Sequence, residues 1–93
     1  MATYMTRVEL HEATYNDYEI LHAAMGNEGF SRTITGSDGV TYHLPTAEYY
    51  RDTQLTLAQV LESAKLAAST TRKNYGAIVT MSNGATWTGL AKV

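Results

Sequence analysis

Residues 3–11 read Thr-Tyr-Met-Thr-Arg-Val-Glu-Leu-His and alternate between two kinds of side chain. One set is apolar apart from a threonine: Tyr4, Thr6, Val8 and Leu10. The other set carries the charge: Met5, Arg7, Glu9 and His11. A period of two is typical of a half-buried strand, because successive side chains point to opposite sides of a sheet. The stretch therefore predicts a first strand with one covered face and one face turned to water.

A first helix is predicted to begin after Thr14. Asp17 stands three residues after this threonine, which is the spacing of a capping box, and apolar residues then recur at helical spacing up to Met25. Gly26 and Gly29 are expected to end the helix, because glycine readily adopts the left-handed conformation of helix C-termini.

A second helix is predicted to begin after Thr56, which forms a capping box with Gln59. Leu55 and Val60 stand where a hydrophobic staple would close across this box. One apolar stripe follows, formed by Leu57, Val60, Leu61, Ala64, Ala67 and Ala68. We expect the helix to end near Arg72 or Lys73, where cations favour the helix dipole and would serve as caps.

Two hairpins are predicted around glycine-containing turns. Residues 30–35 and 40–44 are β-prone and flank Gly-Ser-Asp-Gly at 36–39, whereas 75–81 and 86–90 flank an Asn-Gly turn at 83–84. Strict alternation from Phe30 to Ile34 would turn Arg32 inward, which indicates a bulge, a position at a helix edge or a different strand boundary. Residues 46–54 are polar without a clear period, so we interpret them as a loop that could include an edge-strand fragment.

These elements predict an α+β domain over residues 1–93. The order is the ferredoxin-like split βαβ pattern, βαββαβ, with an additional C-terminal strand and with two helices on one face of an antiparallel sheet. Ninety-three residues suffice for one core but not for two.

Composition excludes several classes of protein. The chain has no cysteine, so neither disulfides nor thiolate zinc sites can support its core. No apolar run approaches the roughly 18 residues of a membrane span, and residues 1–7 do not resemble a secretion signal, so we expect a cytoplasmic protein without membrane partners. A net charge of −2 disfavours tight non-specific nucleic-acid binding, although a local basic patch could still contact RNA.

The charged face of the first strand carries the candidate catalytic residues. Arg7, Glu9 and His11 would lie about 7 Å apart from one to the next, given the rise of two strand residues. A guanidinium, a carboxylate and an imidazole at this spacing could perform acid–base work on a phosphodiester. The alternative is an ordinary solvated sheet face.

A second group of residues could bind RNA. His43 lies in the first hairpin, and Tyr49, Tyr50 and Arg51 form an aromatic and basic cluster of the kind that stacks on bases or anchors an interface. Packing against the core is the alternative for the tyrosines. We expect His22 to serve in packing rather than in catalysis, and Trp87 to pack in the core or at a dimer interface rather than to stack on a substrate.

The chain resembles the GhoS antitoxin family of small bacterial proteins, which are ferredoxin-like and related to the CRISPR-associated endoribonuclease of the adaptation complex. The resemblance extends from Thr3 to Leu61. Its carriers are Thr3-Tyr4, the acidic Glu9, Met25, Phe30-Ser31, Gly39 and Leu44.

This resemblance implies a single-strand-specific endoribonuclease that cuts the message of a membrane toxin in a type V toxin–antitoxin setting. It also implies a homodimer in which Glu9 occupies the acidic position that, in the CRISPR relatives, is implicated in metal-dependent cleavage, with Mg²⁺ as the candidate metal. Glutamate stands where the relatives usually have aspartate. The alternative function is a non-catalytic phage or mobile-element protein that binds and inhibits a bacterial defence nuclease complex, an anti-CRISPR-like role.

Overall fold

Two helices and five strands alternate along the chain in the computed structural model, which describes residues 1–93. In chain order they are β1 (Ala2–Leu10), α1 (Tyr15–Asn27), β2 (Thr33–Thr35), β3 (Thr41–His43), β4 (Glu48–Thr53), α2 (Leu57–Ser69) and β5 (Tyr75–Ser82). None of the helices is long and apolar enough to cross a membrane.

The central strand of the main sheet is β1, which pairs antiparallel with β4 on one side and β5 on the other. Arg7 lies opposite Glu48 on β4 and Ile78 on β5. The short strands β2 and β3 form a separate antiparallel pair, and a single bridge between Ser31 and Tyr50 connects the segment before β2 to β4. The α+β, ferredoxin-like architecture predicted from the sequence is confirmed.

The core lies between the helices and one face of β1. Tyr4, Thr6, Val8 and Leu10 are all buried, as the alternation predicts. Leu21 and Met25 of α1 pack in the same cluster, together with four residues of α2: Val60, Ala64, Ala67 and Ala68. Both helices therefore cover the same side of the sheet, and the opposite side of β1 is free of helices.

Both predicted capping boxes are present. The Thr14 hydroxyl accepts from the Asp17 backbone N–H while the Asp17 carboxylate accepts from the Thr14 N–H, and Thr56 and Gln59 make the same reciprocal pair. The second helix ends at Ser69, before the predicted Arg72. Side-chain hydroxyls of Ser69, Thr70 and Thr71 donate to carbonyls of the last turn, competing with continuation of the helix.

Of the interpretations of residues 46–54, the edge-strand alternative is correct, because β4 covers Glu48–Thr53 and lies at one edge of the main sheet. Its alternation is hidden in the sequence, since the inward side chains are Tyr49 and Arg51 and the outward ones are Glu48, Tyr50 and Asp52. Tyrosine and arginine combine apolar bodies with polar tips, so neither set reads as plainly buried or plainly exposed.

The predicted C-terminal strand over residues 86–90 was wrong, and the strand that the predicted order lacks is β4. Beyond Asn83-Gly84 the chain leaves the sheet instead of pairing back along β5. It reaches β3, where the His43 N–H donates to the Ala91 carbonyl and the Val93 N–H to the Thr41 carbonyl, each at 2.9 Å.

Arg32 does not point inward. The chain bends at this residue, so β2 begins only at Thr33, while Phe30 and Ile34 are both buried and Arg32 is exposed. Of the three alternatives given for Arg32, a different strand boundary is therefore the correct one.

Candidate functional site

The outer row consists of Thr3, Met5, Arg7 and Glu9 on the face of β1 away from the helices, together with His11 directly after the strand. The side chains of Arg7, Glu9 and His11 are 61%, 77% and 52% exposed. Alternation along the strand thus brings the three predicted chemical groups to one accessible surface.

Glu9 and His11 form a pair at the end of β1. The His11 Nε2 atom lies 3.4 Å from the Glu9 Oε1 atom. The backbone N–H of His11 donates to the Asn74 carbonyl at 2.8 Å, so the strand end is fixed against the segment that precedes β5. A carboxylate beside an imidazole can orient the ring.

Arg7 is paired across the sheet with Glu48 of β4. Its Nη1 atom lies 3.5 Å from the Glu48 Oε1 atom. Burial raises the pKa of the Glu48 carboxyl, and the neighbouring guanidinium opposes that shift. Because Arg7 is the more exposed partner, other nitrogen atoms of its fork face water and can meet an anion.

A polar cleft of about 440 Å³ opens beside His11. Its lining is wholly polar or charged: His11, Glu12, Arg72, Lys73 and Asn74. Arg72 adopts a left-handed conformation, φ 61°, where the chain turns from α2 into β5. The Lys73 Nζ atom forms an ion pair with the Asp17 Oδ2 atom at 3.8 Å. The cleft therefore presents two cations next to the imidazole.

The sequence interpretation of Arg72 and Lys73 as helix caps missed this cleft. The helix ends before them, and the antiparallel pairing of β5 with β1 places the segment before Tyr75 next to the end of β1. The order of the elements was a usable signal, because in a split βαβ fold the last strand lies antiparallel beside the first.

Tyr49 was wrongly assigned to the surface. It is fully buried, its hydroxyl lies 2.6 Å from His22 Nδ1, and its ring meets Phe30 edge to face. Burial also raises the pKa of its hydroxyl strongly. The packing alternatives for Tyr49 and His22 are the correct ones, so Tyr49 cannot stack on RNA.

Arg51 lies on the wrong side of the sheet to join the outer row. It shares the inner face of β4 with Tyr49, its guanidinium carbon is 5.1 Å from the centre of the Phe30 ring, and its Nη1 is buried without a hydrogen-bond partner. The guanidinium also packs against Gly29, whose φ is 94°. Arg51 therefore supports the core edge.

The remaining predicted RNA-binding residues, Tyr50 and His43, lie in different sheets. Tyr50 lies on the outer face opposite Met5, and its hydroxyl donates to Asp52 Oδ2 at 2.9 Å. Burial and this hydrogen bond raise the pKa of the Tyr50 hydroxyl. His43 is exposed on β3, in the second sheet and apart from the lining of the polar cleft.

One chain does not build a multidentate metal site at Glu9. No three His, Asp or Glu side chains come together in an arrangement that could hold a metal ion. Gly76 lies opposite Glu9 on β5, and the nearest carboxylate on β4, Glu48, belongs to the pair with Arg7. Further ligands for Mg²⁺ would have to come from a second copy, the substrate or water.

Comparison with protein-family models finds no match for this chain, and a search of curated proteins finds no matching relative. Its function therefore has to be inferred from the chemistry of the site.

Proposed function

We propose that this chain is an antitoxin-like endoribonuclease that cuts single-stranded RNA in the cytoplasm. The observation that carries the proposal is the exposed pair of Glu9 and His11, 3.4 Å apart, at the mouth of a cleft lined by Arg72 and Lys73. Acid–base groups beside cations are what cleavage of a phosphodiester requires. The resemblance to the GhoS family supplies the toxin message as the RNA to test first.

The proposed reaction is transesterification within the RNA. The 2′-hydroxyl oxygen forms a bond to phosphorus as its proton passes to a base, and the bond from phosphorus to the 5′-oxygen breaks as that oxygen takes a proton. His11 carries the transferred proton, and Glu9 positions its ring. The products are a 2′,3′-cyclic phosphate and a free 5′-hydroxyl, so atoms and charge balance without a further reactant.

The three cations of the proposed site bind different phosphates of the RNA. Arg72 and Lys73 hold the reacting phosphate beside His11, where they would stabilise charge that develops on its oxygens. Arg7 lies four residues before His11 on the same row, about 14 Å along the strand, and binds a phosphate further along the RNA. A protein with a net charge of −2 then needs only a local basic path to bind RNA.

The test is cleavage of a labelled single-stranded RNA of mixed sequence, with magnesium or with EDTA. We expect His11→Ala to lower the cleavage rate by about 100-fold or more, which is the usual contribution of a positioned proton-transfer group. Glu9→Gln should lower it less. Glu62→Gln is the matched control, because Glu62 is an exposed carboxylate on α2, outside the outer row.

Retention of full activity by both His11→Ala and Glu9→Gln would disprove this site. Absence of any cleavage by the native chain, in either ionic condition, would favour the alternative function as a binding inhibitor of a nuclease complex. Magnesium dependence that is lost with Glu9→Gln would assign Glu9 to metal binding rather than to positioning His11.

A further inference from the structure

A pocket of about 530 Å³ lies at the other end of the outer row. Its floor is formed by Thr3, Met5 and Tyr50 of the main sheet. The β2–β3 turn, Tyr42 of β3 and the segment after β5, which carries Trp87, complete its lining. We call it the aromatic pocket, and its volume is in the range of small-ligand sites.

Its walls are held in place by specific packing. The Trp87 and Tyr42 rings meet edge to face, with centroids 5.4 Å apart and planes at 64°. The indole also lies close to Gly36, where an added Cβ would be 3.3 Å from its Cζ2 atom. Pairing of Ala91 and Val93 with β3 fixes the segment that carries the tryptophan.

The lining excludes anions. Among its fifteen residues there is no lysine, arginine or histidine, and Asp38 is the only charged residue. A phosphate would therefore be repelled from the interior, whereas a flat neutral group with polar edges could stack on the rings and meet the side chains of Asn83 and Thr86 at the rim. These are the properties of a nucleobase.

The carboxylates near the pocket are already engaged. Asp38 Oδ1 accepts from the Val40 N–H at 3.0 Å, and Asp52, on the same face as the floor, accepts from the hydroxyls of Tyr50 and Thr3. The nearest group along the row is the cation Arg7, two residues beyond Met5. This arrangement lets the phosphate of a base in the pocket reach Arg7.

We propose that the aromatic pocket binds one nucleobase of a single-stranded RNA chain, with one of the tilted rings of Tyr42 and Trp87 stacking on it and the other meeting its edge. The inference rests on the proposed function in that the same RNA strand continues along β1 to His11. It extends that function by giving the enzyme a place that selects which nucleotide lies upstream or downstream of the cut.

The test uses the only tryptophan of the chain as its own reporter. Trp87 fluorescence is titrated with adenosine, guanosine, cytidine and uridine, which carry no phosphate, and then with RNA hexanucleotides. We expect saturable quenching with unequal affinities among the four nucleosides. Tyr42→Ala should weaken binding about tenfold, the usual effect of removing a stacking partner.

Two further variants keep the test decisive. Tyr15→Ala is the matched control, because Tyr15 is 81% exposed on α1 and outside the pocket. If Tyr42→Ala does not fold by circular dichroism, Asn83→Ala alters the exposed rim and should weaken binding or change the order of nucleoside affinities.

Absence of saturable quenching by every nucleoside up to about 10 mM would overturn the proposal, since weaker binding would carry no selectivity. A stronger response to tetramethylammonium than to any nucleoside would overturn it as well. RNA cleavage without quenching would refute the pocket alone, whereas quenching that persists in a chain without cleavage would refute the nuclease alone.

Discussion

Gly26 and Gly36 show how the space around a single residue decides the effect of one methyl group. Gly26 lies in α1 with nothing within 4 Å of an added Cβ, whereas a Cβ at Gly36 would stand 2.9 Å from Asp38 Oδ1 and 3.3 Å from Trp87. Gly26→Ala should therefore stabilise the fold by about 0.5–1 kcal/mol, because alanine loses less backbone entropy in a helix.

The same substitution at the second position should have the opposite sign. We expect Gly36→Ala to destabilise the fold by about 1 kcal/mol through overpacking and to shift the fluorescence of Trp87. Urea unfolding of both variants measures the pair, and equal signs would contradict this account of the two sites.

His22 should make stability depend on pH. It is half-buried against Tyr49 and lies near Tyr18. Burial is the main cause that lowers the pKa of His22 below 6.5, and the positive charge of Arg32 adds to this shift. The negative charge of Glu19 opposes it. The pKa of His22 is lower in the folded chain than in the unfolded chain. The stability that neutral His22 contributes to the fold is therefore present above pH 6.5 and is lost as the pH falls through the folded pKa.

The measurement is the urea midpoint at a series of pH values from about 7 to 5. We expect the midpoint to fall with acidification, and His22→Phe should flatten this part of the profile. Asp17 affects the stability of the fold at lower pH, since its capping interactions with Thr14 lower its pKa from 3.8. A profile unchanged by His22→Phe would contradict the assignment.

At the scale of elements, β5 is an unprotected edge strand. It pairs only with β1, residues 75–82 contain neither charge nor proline, and Ile78 is 63% exposed. Natural edge strands usually carry charged residues or proline, which prevent pairing with another strand. An edge strand of this length without them favours such pairing. We propose that a second copy supplies it, which would give the homodimer implied by the family resemblance.

Solution mass tests this interface. We expect about twice the 10.2 kDa of one chain, and Ile78→Lys should weaken the dimer by about tenfold or more because two like charges would face each other across the pair. Leu66→Lys on α2 is the matched control, since Leu66 is also 63% exposed. A native chain that stays monomeric at high concentration would contradict the edge-pairing hypothesis.

At the scale of the whole molecule, the net charge of −2 limits how RNA can bind. The proposed path uses three cations, Arg7, Arg72 and Lys73, so the logarithm of the binding constant should fall with the logarithm of salt concentration with a slope of about −2. Anisotropy of a labelled RNA with the His11→Ala chain measures it without cleavage. Arg7→Ala should make the slope shallower by about 0.7, and a native slope near −5 would contradict so local a path.

Much of the architecture was accessible from local patterns. The alternation of residues 3–11 placed Arg7, Glu9 and His11 on one open face, and the boxes at Thr14 and Thr56 located both helix starts. These signals are readable because they depend on strand pleat and on hydrogen bonds between residues three apart. By contrast, the strand character of Tyr49, Tyr50 and Arg51 depended on neighbours in β1 and α1 that lie far away in the chain.

The sequence by itself determined the first strand, both helix starts and the face on which Glu9 and His11 lie, because these follow from patterns within single segments. Only the tertiary structure decided that Arg72 and Lys73 stand beside His11, that Tyr49 and Arg51 turn inward, and that the segment carrying Trp87 closes a pocket instead of extending the sheet. Each of these outcomes depends on contacts between distant residues, whose free energy no local pattern records.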